Sequence, residues 1–255
     1  MLRRRHLLAG ATAGATACLV PRAARAAEAN KKRILVVGSS LTVGAFGSAL
    51  ERELQARGYE TLRFAKSATG LSRPDFFDWF KTGRELYDDF WPHGTIAVFG
   101  GNDAQGIRVG GDRDWVRWPD SDWGQTYRRQ IAKMCTAVAP AAERVMFVGP
   151  LPMRSPSFSK KMDILCSHFS AEMELRRYGQ FIDARPVMSK NGKYTDSLKI
   201  DGTSMKVRSP DGIHATRAGA LHLAAAVADQ AHTFMGTPLR RRSPTDGVSQ
   251  PRFRW

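Results

Sequence analysis

The residues in this chain best suited to chemistry are Asp211 and His214, within Ser209-Pro210-Asp211-Gly212-Ile213-His214. A carboxylate three residues before an imidazole can fix its tautomer and steady the imidazolium, which makes the histidine a general base. Such a base needs a nucleophile. The segment Gly38-Ser39-Ser40-Leu41-Thr42 offers two hydroxyls directly after the apolar run Ile34-Leu35-Val36-Val37. A third polar block, Gly100-Gly101-Asn102-Asp103, again follows an apolar run, Ile96-Ala97-Val98-Phe99. Polar clusters at the carboxyl ends of buried strands are where open α/β sheets place their chemistry.

The elements that must hold these blocks follow from the alternation of apolar runs with helical patterns. Strands are expected at Arg33 to Val37, Thr61 to Phe64, Thr95 to Phe99, Arg144 to Val148 and Gln180 to Ile182. Between them, Val43 to Arg57 reads as a helix stopped by Gly58, and Asp75 to Phe90 as one that follows a first-turn Pro74. Gln125 to Val138, Lys160 to Tyr178 and Arg217 to Phe234 supply three more. Short strands separated by helices make a parallel sheet covered on both faces. The expected fold is therefore α/β, a three-layer α/β/α sandwich around a mostly five-stranded parallel sheet with a flavodoxin-like layout. A flavodoxin-like electron carrier is disfavoured, because Gly38 to Gly44 lacks the Thr and Gly density of a phosphate cradle. Two longer irregular stretches remain, Ala104 to Trp123 and Ala184 to Ile213, and segments of that length are usually functional or disordered.

Residues 1–26 read as an export signal. Arg3-Arg4-Arg5 precedes a small and apolar stretch from Leu7 to Val20, and Ala24-Arg25-Ala26 supplies a small-x-small cleavage site. The string Arg4-Arg5-His6-Leu7-Leu8 resembles a twin-arginine signal, which places the product in the bacterial periplasm or outside the cell. The segment is too short and too weakly apolar for a stable membrane anchor, and no Leu stands three positions before Cys18 to mark it for lipidation. The domain is then expected over 27–236. The formal net charge is +15, and five arginines with no acid lie in the signal, so the excess falls to +10 after cleavage. Part of that excess sits in a basic tail over 237–255, with Arg240-Arg241-Arg242, Arg252 and Arg254, which shows no apolar periodicity and is expected to be disordered. Export argues against a nucleic-acid partner, while an anionic envelope polymer would suit the charge.

No cofactor is implied. Neither C-x-x-C nor H-E-x-x-H occurs, and Cys166-Ser167-His168 cannot complete a tetrahedral metal site. Cys135 and Cys166 either pair in an oxidising compartment or lie as two small buried side chains, and their spacing decides neither. His93, His168, His222 and His232 are read as structural or surface residues.

Gly-x-Ser-Leu after the first strand, Gly-x-Asn-Asp after the third and Asp-x-x-His before the last helix together resemble the SGNH (GDSL-type) hydrolase family over nearly the whole mature chain. Ser67 to Asp75, Trp123 to Tyr127 and Val148-Gly149-Pro150-Leu151-Pro152 resemble an exported bacterial branch of it. The resemblance implies Ser40 as nucleophile, Asp211 and His214 as its triad partners, and Ser40, Gly70 and Asn102 as oxyanion donors. Ser39 occupies the position where the family usually carries Asp, so two adjacent serines compete, and the alignment beside Leu41 selects Ser40.

The chemistry of these residue types agrees. A serine hydroxyl needs an imidazole to take its proton, and the oxyanion formed at the attacked carbonyl needs N–H donors already in place. The aromatic cluster Trp115, Trp118 and Trp123, with Arg113 and Arg117 nearby, suits stacking on sugar rings or, alternatively, a loop folded over its own apolar core. Arg208, just before the triad, would orient an anionic or polyhydroxyl substrate. The expected function is an exported serine esterase removing a small acyl group, acetyl above all, from an envelope or extracellular polysaccharide. Its partners are expected to be an acylated carbohydrate or other small ester and the envelope polysaccharide machinery. An O-acetyltransferase using the same triad and a non-catalytic carbohydrate-binding module are the alternatives.

Overall fold

The computed structural model describes residues 31–110 and 114–238. The expected export signal, Cys18, Arg113 and the tail arginines from Arg240 onward lie outside the described residues. Five parallel strands, β1 (Arg33–Gly38), β2 (Glu60–Ala65), β3 (Gly94–Val98), β6 (Arg144–Val148) and β7 (Gly179–Ile182), form one sheet in the order β2-β1-β3-β6-β7. Among the described residues, six helices accompany them: α1 (Ser40–Val43), α2 (Ala45–Ala56), α3 (Trp79–Phe90), α4 (Trp123–Val138), α5 (Pro156–Glu174) and α6 (Arg217–Gly236).

The central strands β1, β3 and β6 are largely apolar because both their faces are covered, while the edge strands β2 and β7 are only partly buried. Ile34, Val36, Ile96, Val98, Met146 and Val148 point into one core with Phe46 and Leu50 of α2 and Leu223 and Val227 of α6. Leu35, Val37, Ala97, Val145 and Phe147 point into the other, against Trp79 of α3, Tyr127 and Ile131 of α4 and Phe169 of α5. These alternating side chains make the three layers, each fully buried one contributing about 1.5–3 kcal/mol. The chain runs from β1 outward to β2 and then returns to β3 on the other side of β1. The sheet order therefore reverses between β1 and β3, and a crevice opens at their carboxyl ends.

Boundaries differ from expectation where capping decides them. The helix expected from Val43 to Arg57 divides into α1 and α2 at Gly44, whose backbone is extended. α3 starts at Trp79 rather than Asp75, because the Asp78 side chain accepts from Phe80 N and Lys81 N and so caps it. The first-turn proline acts instead at Pro156, where Ser155 caps α5 four residues earlier than expected. The two irregular stretches contain small antiparallel hairpins, β4 (Ile107–Arg108) with β5 (Trp115–Val116), and β8 (Ser197–Ile200) with β9 (Thr203–Lys206). Cys135 in α4 and Cys166 in α5 are both free and buried.

Candidate active site

The turn after β1 is tied to the neighbouring strand by Ser39 N, which donates to Val98 O at 3.1 Å. Ser39 itself is buried and occupies the cap position of α1, and Ser40 is the first residue of that helix. Ser40 Oγ lies 2.9 Å from His214 Nε2, across 174 residues of sequence. On the far side of the ring, His214 Nδ1 lies 2.7 Å from Asp211 Oδ2. With the Nδ1 proton directed at the carboxylate, Nε2 is left as the acceptor for the serine hydroxyl. The structure thus brings Ser40, His214 and Asp211 into one hydrogen-bonded chain.

Asp211 does more than face the imidazole. Its Oδ1 accepts from Ile213 N at 2.8 Å and from His214 N at 2.9 Å. Partial burial pushes its carboxyl up, but the bonds from the His214 ring and from those two amides outweigh this and bring it down to about 2. It is therefore ionised at neutral pH. The loop closes at Gly212, with φ at 70°, and a Cβ there would stand 2.5 Å from Arg154 Cβ. Arg154 packs this tightly because it clamps the loop from outside: Arg154 N donates to Gly212 O at 3.1 Å and Nη1 to Pro210 O at 2.6 Å, while Nη2 meets Asp196 Oδ1 at 2.8 Å.

Arg208 is a correction to the sequence reading. Far from facing substrate, it is 0% exposed. An antiparallel bridge between Arg208 and Ala215 turns its side chain beneath the loop, where Nη1 donates to Pro152 O at 2.6 Å and Nη2 to Ile213 O at 2.8 Å and Gly212 O at 3.4 Å. Its guanidinium also lies 4.8 Å from the Tyr194 ring centroid.

Gly70 and Asn102 are brought together by the loops that follow β2 and β3. Lys66 N donates to Gly38 O at 3.0 Å, so the loop after β2 begins against the end of β1. Asn102 Nδ2 donates to Thr69 O at 2.9 Å, which seats the side chain beside Gly70. Thr69 is held in turn, its hydroxyl donating to Lys66 O and accepting from Trp79 Nε1. Below both loops lies the fully buried Asp103. Its Oδ1 accepts from Ser72 N at 2.9 Å and its Oδ2 from Gly100 N at 3.0 Å. A Cβ at Gly70 would come within 2.3 Å of Asp103 Oδ1, so only glycine fits. Burial pushes the Asp103 carboxyl up, against those same amides, which pull it down.

The tryptophans divide. Trp115 is 38% exposed, with the Arg73 and Arg108 guanidiniums 5.0 and 5.4 Å from its ring. Arg108 N donates to Ser72 O at 3.0 Å, which puts this group next to the Gly70–Ser72 loop. Trp123 is 2% exposed, stacks on Tyr127 and donates from Nε1 to Gln105 O at 2.7 Å, so it cannot face a sugar. Trp118 packs edge-on against Trp123 at 4.3 Å and joins the same core. For these two the alternative of a loop folded over its own core holds. Sequence reasoning missed Arg154 and Tyr194 altogether. Arg154 stands in the segment after β6, a strand-end position that is itself a signal.

Among the described residues, no group of three or more His, Cys, Asp or Glu side chains is placed to hold a metal ion, and no helix is long and apolar enough to cross a membrane. A cleft beside α5 and β7, lined by Asp163, Cys166, Phe181, Asp183 and Arg185, shares no residue with the Ser40 site.

A family model described as protein of unknown function (DUF459) matches residues 33–230. Among solved structures, a catalytic mutant of Axe2, an acetylxylan esterase from Geobacillus stearothermophilus, superposes with a TM-score of 0.54 at 14% identity, covering 83% of this chain and 97% of the other. A carbohydrate esterase family 3 protein from Talaromyces cellulolyticus gives 0.55 at 12%, covering 80% and 98%. The periplasmic domain of a lipopolysaccharide acetyltransferase from Salmonella ser. Paratyphi A gives 0.53 at 15%, covering 83% and 89%. At these identities the likeness is one of fold. No curated protein matches the sequence significantly.

Proposed function

We propose, from the premise that this chain belongs to the DUF459 family and has the fold of the SGNH hydrolases, that it is an exported serine esterase acting on an acetylated envelope or extracellular polysaccharide. The observation that carries this is the chain Ser40 Oγ, His214 and Asp211, with contacts of 2.9 and 2.7 Å. In this reading Ser40 Oγ attacks the ester carbonyl while His214 Nε2 takes its proton. The tetrahedral oxyanion is met by the Ser40 and Gly70 amides and the Asn102 side chain, each such donor being worth about 2.7–4 kcal/mol in the transition state. His214 then returns the proton to the departing sugar oxygen, leaving an acetyl-serine. Water activated by the same imidazole releases acetate.

Three features support a carbohydrate ester as substrate. Asp211 and His214 side chains are 44% and 41% exposed, which leaves room for a polymer. Trp115 offers an indole face beside the Gly70 loop, suited to a sugar ring. Proteins of the same fold include an acetylxylan esterase and the periplasmic domain of a lipopolysaccharide acetyltransferase. The expected signal over residues 1–26 would deliver the domain to such polymers. Transfer of the acetyl group to a sugar hydroxyl uses the same acyl-serine, and the same open rim favours it as the second reading.

The test is incubation of the mature protein with p-nitrophenyl acetate and with an acetylated glycan, followed by mass spectrometry of the Ser40 peptide. Acetyl on Ser40 with release of acetate is expected, and a product that depends on added sugar acceptor would assign transfer. Ser40→Ala should abolish both label and turnover while Ser39→Ala keeps most activity. Absence of label and turnover in the wild-type protein would leave a binding module.

A further inference from the structure

Arg208 is a buried cation without a carboxylate at ion-pair distance among the described residues, an arrangement that costs free energy unless something repays it. Apart from a 4.0 Å contact of Nη2 with Met153 Sδ, its hydrogen-bond partners are backbone carbonyls, of Pro152, Gly212 and Ile213. Two of those carbonyls belong to the peptide groups whose N–H ends, at Ile213 and His214, donate to Asp211 Oδ1. In a trans peptide the C=O and N–H point in opposite directions. The Arg208 guanidinium and the Asp211 carboxylate therefore sit on opposite sides of the same two peptide groups, cation at the oxygen ends and anion at the hydrogen ends.

We propose that Arg208 is a positioning residue of the site, which orients the Gly212–Ile213 and Ile213–His214 peptide groups so that their amides hold Asp211, and through it the His214 ring, in line with Ser40. This rests on Ser40, His214 and Asp211 acting as a triad. An Asp211 carboxylate 44% exposed to water has no apolar wall to fix it, so its orientation depends on those two amides. The amides depend on the carbonyls being held from beneath. Arg is the side chain able to do this, since its fork presents several donors in one plane. Tyr194 lies against the guanidinium on one side, with Arg154, itself paired to Asp196, over the same ring. The charged and titratable groups facing Arg208 are thus Asp211, Asp196, Arg154 and Tyr194. A purely apolar side chain would fill the space but leave the carbonyls free to rotate.

The experiment compares Arg208→Lys and Arg208→Met with the wild-type protein on p-nitrophenyl acetate, together with the proton NMR resonance of the His214 Nδ1–H. Misplacement of a reacting group by about 1 Å costs on the order of a hundredfold. Arg208→Met should lower kcat by about that factor with KM within twofold, and should lose or shift upfield the low-field resonance. Arg208→Lys, which keeps the charge but not the fork, should fall between the two. In an Asp211→Asn background the Arg208→Met effect should shrink to less than about threefold, because the group it acts through is gone. Wild-type kcat in a folded Arg208→Met protein, an unchanged low-field resonance, or an equal loss in the Asp211→Asn background would each overturn the proposal. Should Arg208→Met fail to fold, the Lys variant decides by the same readings. An inactive wild-type protein with a normal low-field resonance would refute the esterase reading while leaving the positioning intact.

Discussion

The Asp211–His214 loop and the pair of loops that carry Gly70 and Asn102 are anchored from below by opposite kinds of hydrogen-bonding group. Under the Asp211–His214 loop lies the buried cation Arg208, which collects carbonyls. Under the Gly70 and Gly100 loops lies the buried carboxyl group of Asp103, whose oxygens collect amides. A buried donor holds the oxygen end of a peptide group and a buried acceptor the hydrogen end, and each so decides which end is left free. The guanidinium leaves N–H groups for the Asp211 carboxylate; the Asp103 carboxyl fixes the bends that carry Gly70 and Asn102. The two acids titrate in opposite directions for separate reasons: the His214 ring and two amides favour the ionised form of Asp211 over the opposing effect of burial, while burial favours the neutral form of Asp103.

Breaking the first anchor's client should have the largest effect. Asp211→Asn is expected to lower kcat by about 10⁴-fold, through loss of the correct histidine tautomer, with the fold retained by circular dichroism. In the loops above Asp103, Asn102→Ala should cost about 10²–10³ in kcat with little change in KM. Equal losses at both positions would erase the distinction between base side and oxyanion side. Asp103→Asn turns an amide NH2 toward one of two backbone donors and should cost about 1–3 kcal/mol of stability, read from denaturant midpoints.

Comparing the two acids by pH sharpens the contrast. The Asp211 carboxyl is depressed, so the stability it adds is complete above the ordinary carboxylate range and fades as pH falls toward about 2. The Asp103 carboxyl is raised, so its contribution runs the other way, present in acid and fading as pH rises through the raised value. Melting curves between pH 3 and pH 7 should therefore show the penalty of Asp211→Asn growing with pH and that of Asp103→Asn shrinking. Parallel curves would refute the opposed titration. The smallest effect is expected at Trp115→Ala, which should raise KM for an acetylated glycan several-fold and leave p-nitrophenyl acetate untouched.

The centre of the sheet was legible because β1, β3 and β6 are largely apolar runs, and a run buried on both faces needs no partner to be recognised. The blocks after β1 and β3 were legible because they fall where those runs end, and the loop before α6 because of its Asp-x-x-His spacing. The direction of a loop side chain carries no such periodic signature. Arg208 could be placed in sequence beside Asp211 but not beneath it. Trp123 was a different failure: its spacing with Tyr127, Ile131 and Met134 is that of one buried helical stripe, and starting α4 two residues earlier would have claimed it for the core. The hairpins β4/β5 and β8/β9 are two to four residues per strand, too short for alternation to show.

The triad's open rim has a consequence for any acyl-serine formed there. Among the described residues the carboxylate and imidazole edges are open to solvent, so water and a sugar hydroxyl would reach such an intermediate by the same route. Hydrolysis and transfer then become a partition ratio rather than two separate enzymes. On the proposed reading that ratio would be set by how long a polysaccharide strand dwells on the protein after losing its first acetyl group, because a retained strand raises the effective concentration of its own hydroxyls.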